Sequence, residues 1–130
     1  MRRVALVTLV VGDYDEAIRF YTEALGFRVV EDAPRPDGSR WVVMEPGTAG
    51  HGTGLLLARA KGDEQRARVG DQTGRRVGFF LHTDDFARDH ARMTAVGVTF
   101  LEEPRHEPYG TVAVFQDLYG NRWDLLQPAA

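Results

Sequence analysis

The sequence predicts an α+β fold made of two tandem βαβββ modules, which form a curved mixed sheet around a central cavity with the helices outside. The order of the predicted elements in the first half of the chain returns in the second half. Two acids and a glycine also return with the same spacing, so that Asp13, Gly26 and Glu31 correspond to Asp84, Gly97 and Glu102. Such self-similarity indicates an internal duplication. A single module leaves one sheet face bare, and two modules can cover it together.

The first module spans about residues 1–60. Its helix is predicted over 14–25, because Asp13 and Glu16 have the spacing of a capping box, apolar residues follow at helical intervals and Gly26 ends the pattern. Runs rich in Val and Leu or bounded by turn residues predict the strands at 4–11, 27–32, 39–46 and 53–60.

A polar connector at about 61–75 leads to the second module at about 76–130. Here the sequence predicts an acid-capped helix over 84–97, which ends at Gly97. The strands are predicted at 77–83, 98–103, 110–117 and 121–127.

Composition excludes several classes of partner. The 130 residues fit one compact domain, and a net charge of −3 gives no positive field for nucleic acid or anionic lipid. The apolar run at the start is too short for a membrane span and reads better as a buried strand than as a signal peptide. Cysteine is absent, which excludes disulfides and thiolate chemistry. We expect a cytoplasmic protein without nucleic-acid or membrane partners.

Motifs in both halves carry a family resemblance. "VVGDYDEAIRFYTEALGFRVVED" and "AVGVTFLEEP" followed by "YGTVAVFQDLYGNRWDLLQ" are similar to the module signatures of the vicinal oxygen chelate superfamily, which includes glyoxalases, bleomycin-resistance proteins and extradiol dioxygenases. The resemblance implies a ligand cavity, frequent homodimers and, in the enzymes, a divalent metal held by side chains of four strands.

The metal-ligand positions that the resemblance implies fall on Leu6, Leu56, Gly78 and Asp124. Only Asp124 can ligate a metal, and sites of this kind need three or more protein ligands. The other histidines lie off these positions, with His51 in a Gly-rich loop, His90 in the second helix and His106 in a turn. We therefore expect no metal and no cofactor.

Strand alternation places Asp124 toward the cavity, where a buried charge needs a donor such as Arg122 or Arg40. His82 shares the face of Gly78 and Phe80, about 13 Å from the metal position. Asp124 and His82 are weak catalytic candidates. The predicted ligand-binding residues are Thr8, Trp41, Phe80, His82, Tyr109, Arg122 and Asp124.

The preferred function is a metal-free protein of the glyoxalase and bleomycin-resistance type that binds a small, partly aromatic organic molecule. One alternative is a metal-dependent enzyme of the glyoxalase or dioxygenase type, which needs three or more ligating side chains near Asp124. The other is a structural or regulatory dimer without a ligand. The resemblance favours a homodimer in each case.

Overall fold

The computed structural model describes residues 1–47 and 52–130. His51, which the sequence places in a Gly-rich loop, lies outside the described residues. The chain forms two compact units, Met1–Val69 and Gly70–Ala130. Each unit contains one sheet and one principal helix, as the duplication predicts.

The first unit is a four-stranded mixed sheet with one helix on one face. Its elements are β1 (Leu6–Val11), α1 (Tyr14–Glu23), β2 (Arg28–Pro34), β3 (Arg40–Glu45), β4 (Gly54–Arg59) and the short connector helix α2 (Gly62–Arg66). The strand order is β1-β4-β3-β2, with β1 parallel to β4 and the other neighbours antiparallel. The Asp13 carboxylate accepts the Glu16 N–H at 2.8 Å and so caps α1, as predicted.

The core of the first unit lies between α1 and the sheet. Tyr21, Leu9, Val42 and Leu57 are fully buried there. Burial of a side chain of this size stabilises the fold by roughly 1.5–3 kcal/mol. Because alternate strand residues supply this core, the others project from the opposite face, which we call the open face of the sheet.

The second unit is a five-stranded mixed sheet with α3 (Phe86–Ala95) on one face. Its strands are β5 (Val77–His82), β6 (Thr99–Phe100), β7 (Arg105–Glu107), β8 (Gly110–Gln116) and β9 (Arg122–Pro128). The order is β5-β9-β8-β6, β7 also pairs with β8, and β5 is parallel to β9. Phe115, Leu125 and Met93 are almost wholly buried between helix and sheet. The predicted α+β fold with two βαβββ modules is thereby confirmed.

Three local predictions in the second unit are wrong. The strand expected at 98–103 stops at Phe100, and His106 lies in the strand β7 rather than in a turn. The helix cap is Asp85, whose carboxylate accepts the Arg88 N–H at 3.0 Å, while Asp84 forms an ion pair with Arg88 at 2.8 Å. The duplication therefore shifts by one residue at the second cap. None of the helices in the described residues is long and apolar enough to cross a membrane.

Candidate functional site

Asp124 occupies the middle of β9 on the open face of the second sheet. Its neighbours Trp123 and Leu125 are 4% and 0% exposed and point toward α3, as strand alternation predicts. Asp124 lies directly opposite Phe80 of β5 on one side and Val114 of β8 on the other. The predicted orientation of Asp124 away from the helix layer therefore agrees with the pairing of its strand.

The Asp124 carboxylate is not fully satisfied. Its Oδ1 atom is buried and has no hydrogen-bond partner among the described residues. Burial raises the pKa of Asp124 above its ordinary value; Arg105 works in the opposite direction, and Glu102 adds to the rise. Because a buried acceptor without a donor costs about 1–3 kcal/mol, this oxygen favours an incoming donor.

The donors expected for Asp124 do not fill this role at Oδ1. Arg40 forms ion pairs with Asp15 at 2.9 Å and with Asp32 at 2.7 Å, so its guanidinium is already committed. Arg122 lies two positions before Asp124 on β9, opposite Gln116, and leaves Oδ1 without a bond. The sequence alone could not show that Asp15 and Asp32 form ion pairs with Arg40, because neither is its neighbour along the chain.

Glu102 and Arg105 complete the surroundings of Asp124, and sequence reasoning missed both. Glu102 Oε1 accepts a hydrogen bond from Arg105 Nε at 3.0 Å, while Oε2 accepts the Val114 N–H at 2.9 Å. The Glu102 side chain thus accepts a β8 N–H group that a backbone carbonyl of β6 would accept if that strand continued, and β6 ends at Phe100. Hydrogen bonds with the Tyr109 hydroxyl and with Glu102 raise the pKa of Arg105. The sequence signal that could have pointed to Glu102 is its place in the duplication, where it corresponds to Glu31.

Phe80 and Tyr109 provide exposed aromatic surface in this unit. Phe80 is 62% exposed and Tyr109 is 52% exposed. His82 is also exposed and lies opposite Leu126, two positions along the strand from the Phe80–Asp124 pair. That separation is roughly 7 Å along a strand, shorter than the distance predicted from Gly78. The register of β5 shifts by one residue between Val77 and Phe79, which accounts for one of the two positions of this difference.

Thr8 and Trp41 belong to the first unit. Thr8 lies opposite Leu56 in the β1–β4 pair, and Val43 lies opposite Leu56 on its other side. Trp41 is two positions from Val43 and shares its face, and the Arg35 guanidinium stands 4.7 Å from the centre of the Trp41 ring. Both residues therefore lie on the open face of the first sheet.

The residues at the family's metal positions do not fit a metal. Leu6 and Leu56 are apolar, and a Cβ at Gly78 would meet Thr73 Cγ2 at 2.5 Å, so a ligating side chain there has no room in this arrangement. Within residues 1–47 and 52–130, no three His, Cys, Asp or Glu side chains are grouped so that they could hold a metal ion. Asp124 thus lacks the companions that a metal site requires.

A groove of about 530 Å³ lies on the second unit, between α3 and the segment after β6. His90 contributes to it and packs against Phe100 with ring centres 4.2 Å apart. Glu102 also lines this groove, so the same residue borders both the groove and the Asp124 carboxylate cluster.

Comparison with protein families covers nearly the whole chain. Residues 3–125 match the family model for the glyoxalase/bleomycin resistance protein/dioxygenase superfamily. The chain belongs to this superfamily. The predicted resemblance is therefore confirmed, and the match includes both modules.

Several known proteins resemble this chain over most of their length. An uncharacterized protein from Shewanella frigidimarina is 52% identical over 122 residues, which cover 93% of this chain and 90% of that protein. The crystal structure of UcmS2 has a TM-score of 0.82 at 32% identity and covers 97% of this chain and 98% of its own. TnmS3, an antibiotic binding protein from Streptomyces sp. CB03234, has a TM-score of 0.77 at 32% identity, with coverage of 99% and 98%.

Proposed function

We propose that this protein binds a small, partly aromatic organic molecule on the open face of the second sheet, around Asp124, without a metal ion. The observation that carries the proposal is the buried Asp124 Oδ1, which has no hydrogen-bond partner among the described residues. A ligand that donates a hydrogen bond to this oxygen, once the carboxylate turns it toward the open face, would remove a penalty of about 1–3 kcal/mol. Binding energy is therefore available at this atom.

Exposed aromatic surface supports an aromatic ligand. Phe80 lies directly opposite Asp124 and keeps 62% of its surface exposed, although phenylalanine gains strongly from burial. Tyr109 is 52% exposed, and its hydroxyl is tied to Arg105 of the same cluster. A planar ligand can cover Phe80 while its polar group reaches Asp124. His82 and Arg122 are the further proposed contacts in this unit. Thr8 and Trp41 stay proposed ligand-binding residues of the first unit, on the open face of its own sheet.

The relatives support binding of an organic molecule. TnmS3 is described as an antibiotic binding protein, and it matches this chain at 32% identity over nearly all of both chains. The mismatch between Leu6, Leu56 and Gly78 and the chemistry of a metal site also favours binding over metal-dependent catalysis. Asp124 and His82 remain the proposed residues should the bound molecule undergo acid–base chemistry. We further propose that the protein is cytoplasmic and that it forms a homodimer. Sedimentation analysis tests the homodimer.

Isothermal titration against a panel of aromatic antibiotics and naphthalene derivatives tests the proposal. We expect at least one compound to bind, and Asp124→Asn to weaken it about tenfold through loss of the carboxylate acceptor. Asp63→Asn is the matched control, because the Asp63 side chain is fully exposed on α2 and should leave affinity unchanged. A wild-type protein that binds none of the panel, or an Asp124→Asn variant with wild-type affinity, would contradict the proposal.

A further inference from the structure

Glu102 accepts a hydrogen bond from Arg105, while the nearby Asp124 carboxylate keeps one oxygen without a hydrogen-bond partner among the described residues. Arg105 lies opposite Val112 on β8, and Asp124 lies opposite Val114 from the other side of the same strand. The two residues therefore share a face, about 7 Å apart along the strands and about 10 Å apart across β8, a gap that a long arginine side chain can largely span. Arg105 acts electrostatically on Asp124, yet Asp124 Oδ1 accepts no hydrogen bond from it.

The contacts of Glu102 account for this arrangement. One carboxylate oxygen binds Arg105 Nε at 3.0 Å and the other binds the Val114 N–H at 2.9 Å, so Glu102 is fixed to the strand at both oxygens. Glu107 lies farther away, with its Oε1 atom 3.9 Å from Arg105 Nη1. Glu102 is therefore the stronger of the two carboxylate anchors for the guanidinium, and the Tyr109 hydroxyl is a further, uncharged partner.

We infer that Glu102 is a specificity-determining residue, which holds Arg105 away from Asp124 and so makes the site select ligands that carry a cationic nitrogen. This inference rests on the proposed function and names its ligand class. With Glu102 and Asp124 ionised and Arg105 charged, these three side chains sum to one net negative charge. Arg122 lies two positions before Asp124 on β9 and adds a positive charge at that distance, but it makes no hydrogen bond to Oδ1. A cationic amine adds an ion pair with the Asp124 carboxylate to the hydrogen bond, whereas a neutral donor supplies the hydrogen bond alone. Anionic ligands meet two carboxylates and are disfavoured.

Three naphthalene probes of matched size test the charge preference: naphthylmethylammonium, naphthylmethanol and naphthoate. By isothermal titration, we expect the wild-type protein to bind the cation about tenfold more tightly than the alcohol, and the anion least. Equal affinity for cation and alcohol would overturn the inference and leave the proposed function intact. Failure of all three probes would count against the proposed site, and the structural test below then decides the role of Glu102.

Glu102→Gln tests whether Glu102 acts through Arg105. Its amide oxygen can still accept the Val114 N–H, but the hold on Arg105 weakens because the carboxylate charge is lost. We expect the preference for the cation to fall below about threefold. In an Arg105→Gln background the same substitution should have little effect. An equal loss of preference in both backgrounds would show that Glu102 acts directly on the ligand and would overturn the inference.

A crystal structure of the Glu102→Gln variant provides a test without any ligand. We expect the Arg105 guanidinium to move to within ion-pair distance of the Asp124 carboxylate. A guanidinium that stays in its wild-type position would overturn the inference. Glu107→Gln is the matched control, since it removes a carboxylate near Arg105 at 3.9 Å that makes no hydrogen bond to it, and both Arg105 and the charge preference should remain as in the wild-type protein.

Discussion

Asp117 accepts a hydrogen bond from the indole Nε1 of Trp123 at 3.2 Å, although the carboxylate is only 4% exposed. Its other oxygen accepts the backbone N–H groups of Tyr119, Gly120 and Asn121 at 2.9–3.1 Å. Asp117 therefore organises the turn between β8 and β9 and fixes the strand that carries Asp124. Part of the sequence that resembles the superfamily signature, "FQDLYGNRW", therefore forms a turn that the buried Asp117 carboxylate stabilises.

Removal of this carboxylate should destabilise the fold. We expect Asp117→Ala to lower the free energy of unfolding by about 3 kcal/mol, because several buried donors lose their acceptor together. Urea unfolding followed by tryptophan fluorescence measures the change. Asp63→Ala is the control and should stay within about 0.5 kcal/mol, since its ion pair with Arg66 is solvent-exposed. A loss for Asp117→Ala as small as that of the control would refute the structural role.

Phe79 and Phe80 are adjacent residues for which we expect opposite effects. The Phe79 ring stacks on Trp123 with centres 4.7 Å apart, whereas Phe80 is 62% exposed on the other face. Phe79→Ala should cost about 2 kcal/mol of stability, less than a fully buried phenylalanine because Phe79 is half-buried. Phe80→Ala should leave stability within about 0.5 kcal/mol but weaken aromatic ligands several-fold. Thermal unfolding and titration of both variants separate packing from binding, and a Phe80 variant with unchanged affinity would remove Phe80 from the site.

Gly78 should not tolerate a side chain while Thr73 is present. The Thr73 hydroxyl donates to the Arg76 carbonyl at 2.6 Å, which holds the Thr73 methyl 2.5 Å from the position of a Cβ at residue 78. We expect Gly78→Ala to cost about 1–3 kcal/mol by overpacking. Thr73→Ser removes the methyl group but keeps the hydroxyl, so the double variant should recover most of the loss. A double-mutant cycle from urea unfolding measures this coupling, and additive effects would contradict it.

The purified protein should hold no stoichiometric divalent metal. Leu6, Leu56 and Gly78 offer no ligands, so Asp124 alone cannot retain an ion against water. Elemental analysis after dialysis should find less than about 0.1 equivalent of Zn, Ni, Mn or Fe, and chelator should leave the midpoint of thermal unfolding unchanged. One equivalent of metal that survives dialysis would support the enzyme alternative, with metal ligands other than the residues at positions 6, 56 and 78.

The sequence predicted those features that depend on residues close along the chain. It missed contacts that depend on how distant segments pack together. The Asp13 cap follows from short-range spacing, and the orientation of Asp124 follows from alternation between buried Trp123 and Leu125. The early end of β6 depends on a side chain, Glu102, that binds the backbone of a strand twelve residues away. No local pattern marks such a contact.

Strand register limited the site prediction in the same way. The irregularity between Val77 and Phe79 sets Phe80, rather than Phe79, opposite Asp124, and it brings His82 one position nearer to the carboxylate than an unbroken strand would. A bulge of this kind depends on the partner strand, so alternation along β5 alone could not reveal it. The commitment of Arg40 to Asp15 and Asp32 likewise depends on packing between elements.

The pH dependence of stability should show the unsatisfied state of Asp124. Burial, as the largest cause, raises its folded-state pKa above the ordinary 3.8. Between 3.8 and the raised value, the folded protein binds more protons than the unfolded chain, so this group lowers stability as the pH rises through that window. Above the window the penalty is constant, because the carboxylate is then ionised in both states.

Asp124→Asn removes that penalty, since the amide remains neutral. We expect the variant to match the wild-type protein at about pH 3 and to become the more stable of the two as the pH rises toward about 7. Asp32→Asn should show the opposite trend. A hydrogen bond with Arg40 is the largest cause that lowers the pKa of Asp32, so its carboxylate contributes stability that is fully present above pH 3.8. This stability is lost as the pH falls through the lowered pKa, so Asp32→Asn should be destabilised at neutral pH and less so in acid.

Urea unfolding of the three proteins across this pH range measures both differences. Binding of a cationic naphthalene should change with the same group, because only the ionised Asp124 carboxylate forms an ion pair with the ammonium. Affinity should therefore fall as the pH drops through the raised pKa of Asp124, while stability relative to Asp124→Asn improves. A stability difference between wild type and Asp124→Asn that is independent of pH would show that water or a protein donor already satisfies Asp124, and the proposed site would lose the atom on which it rests.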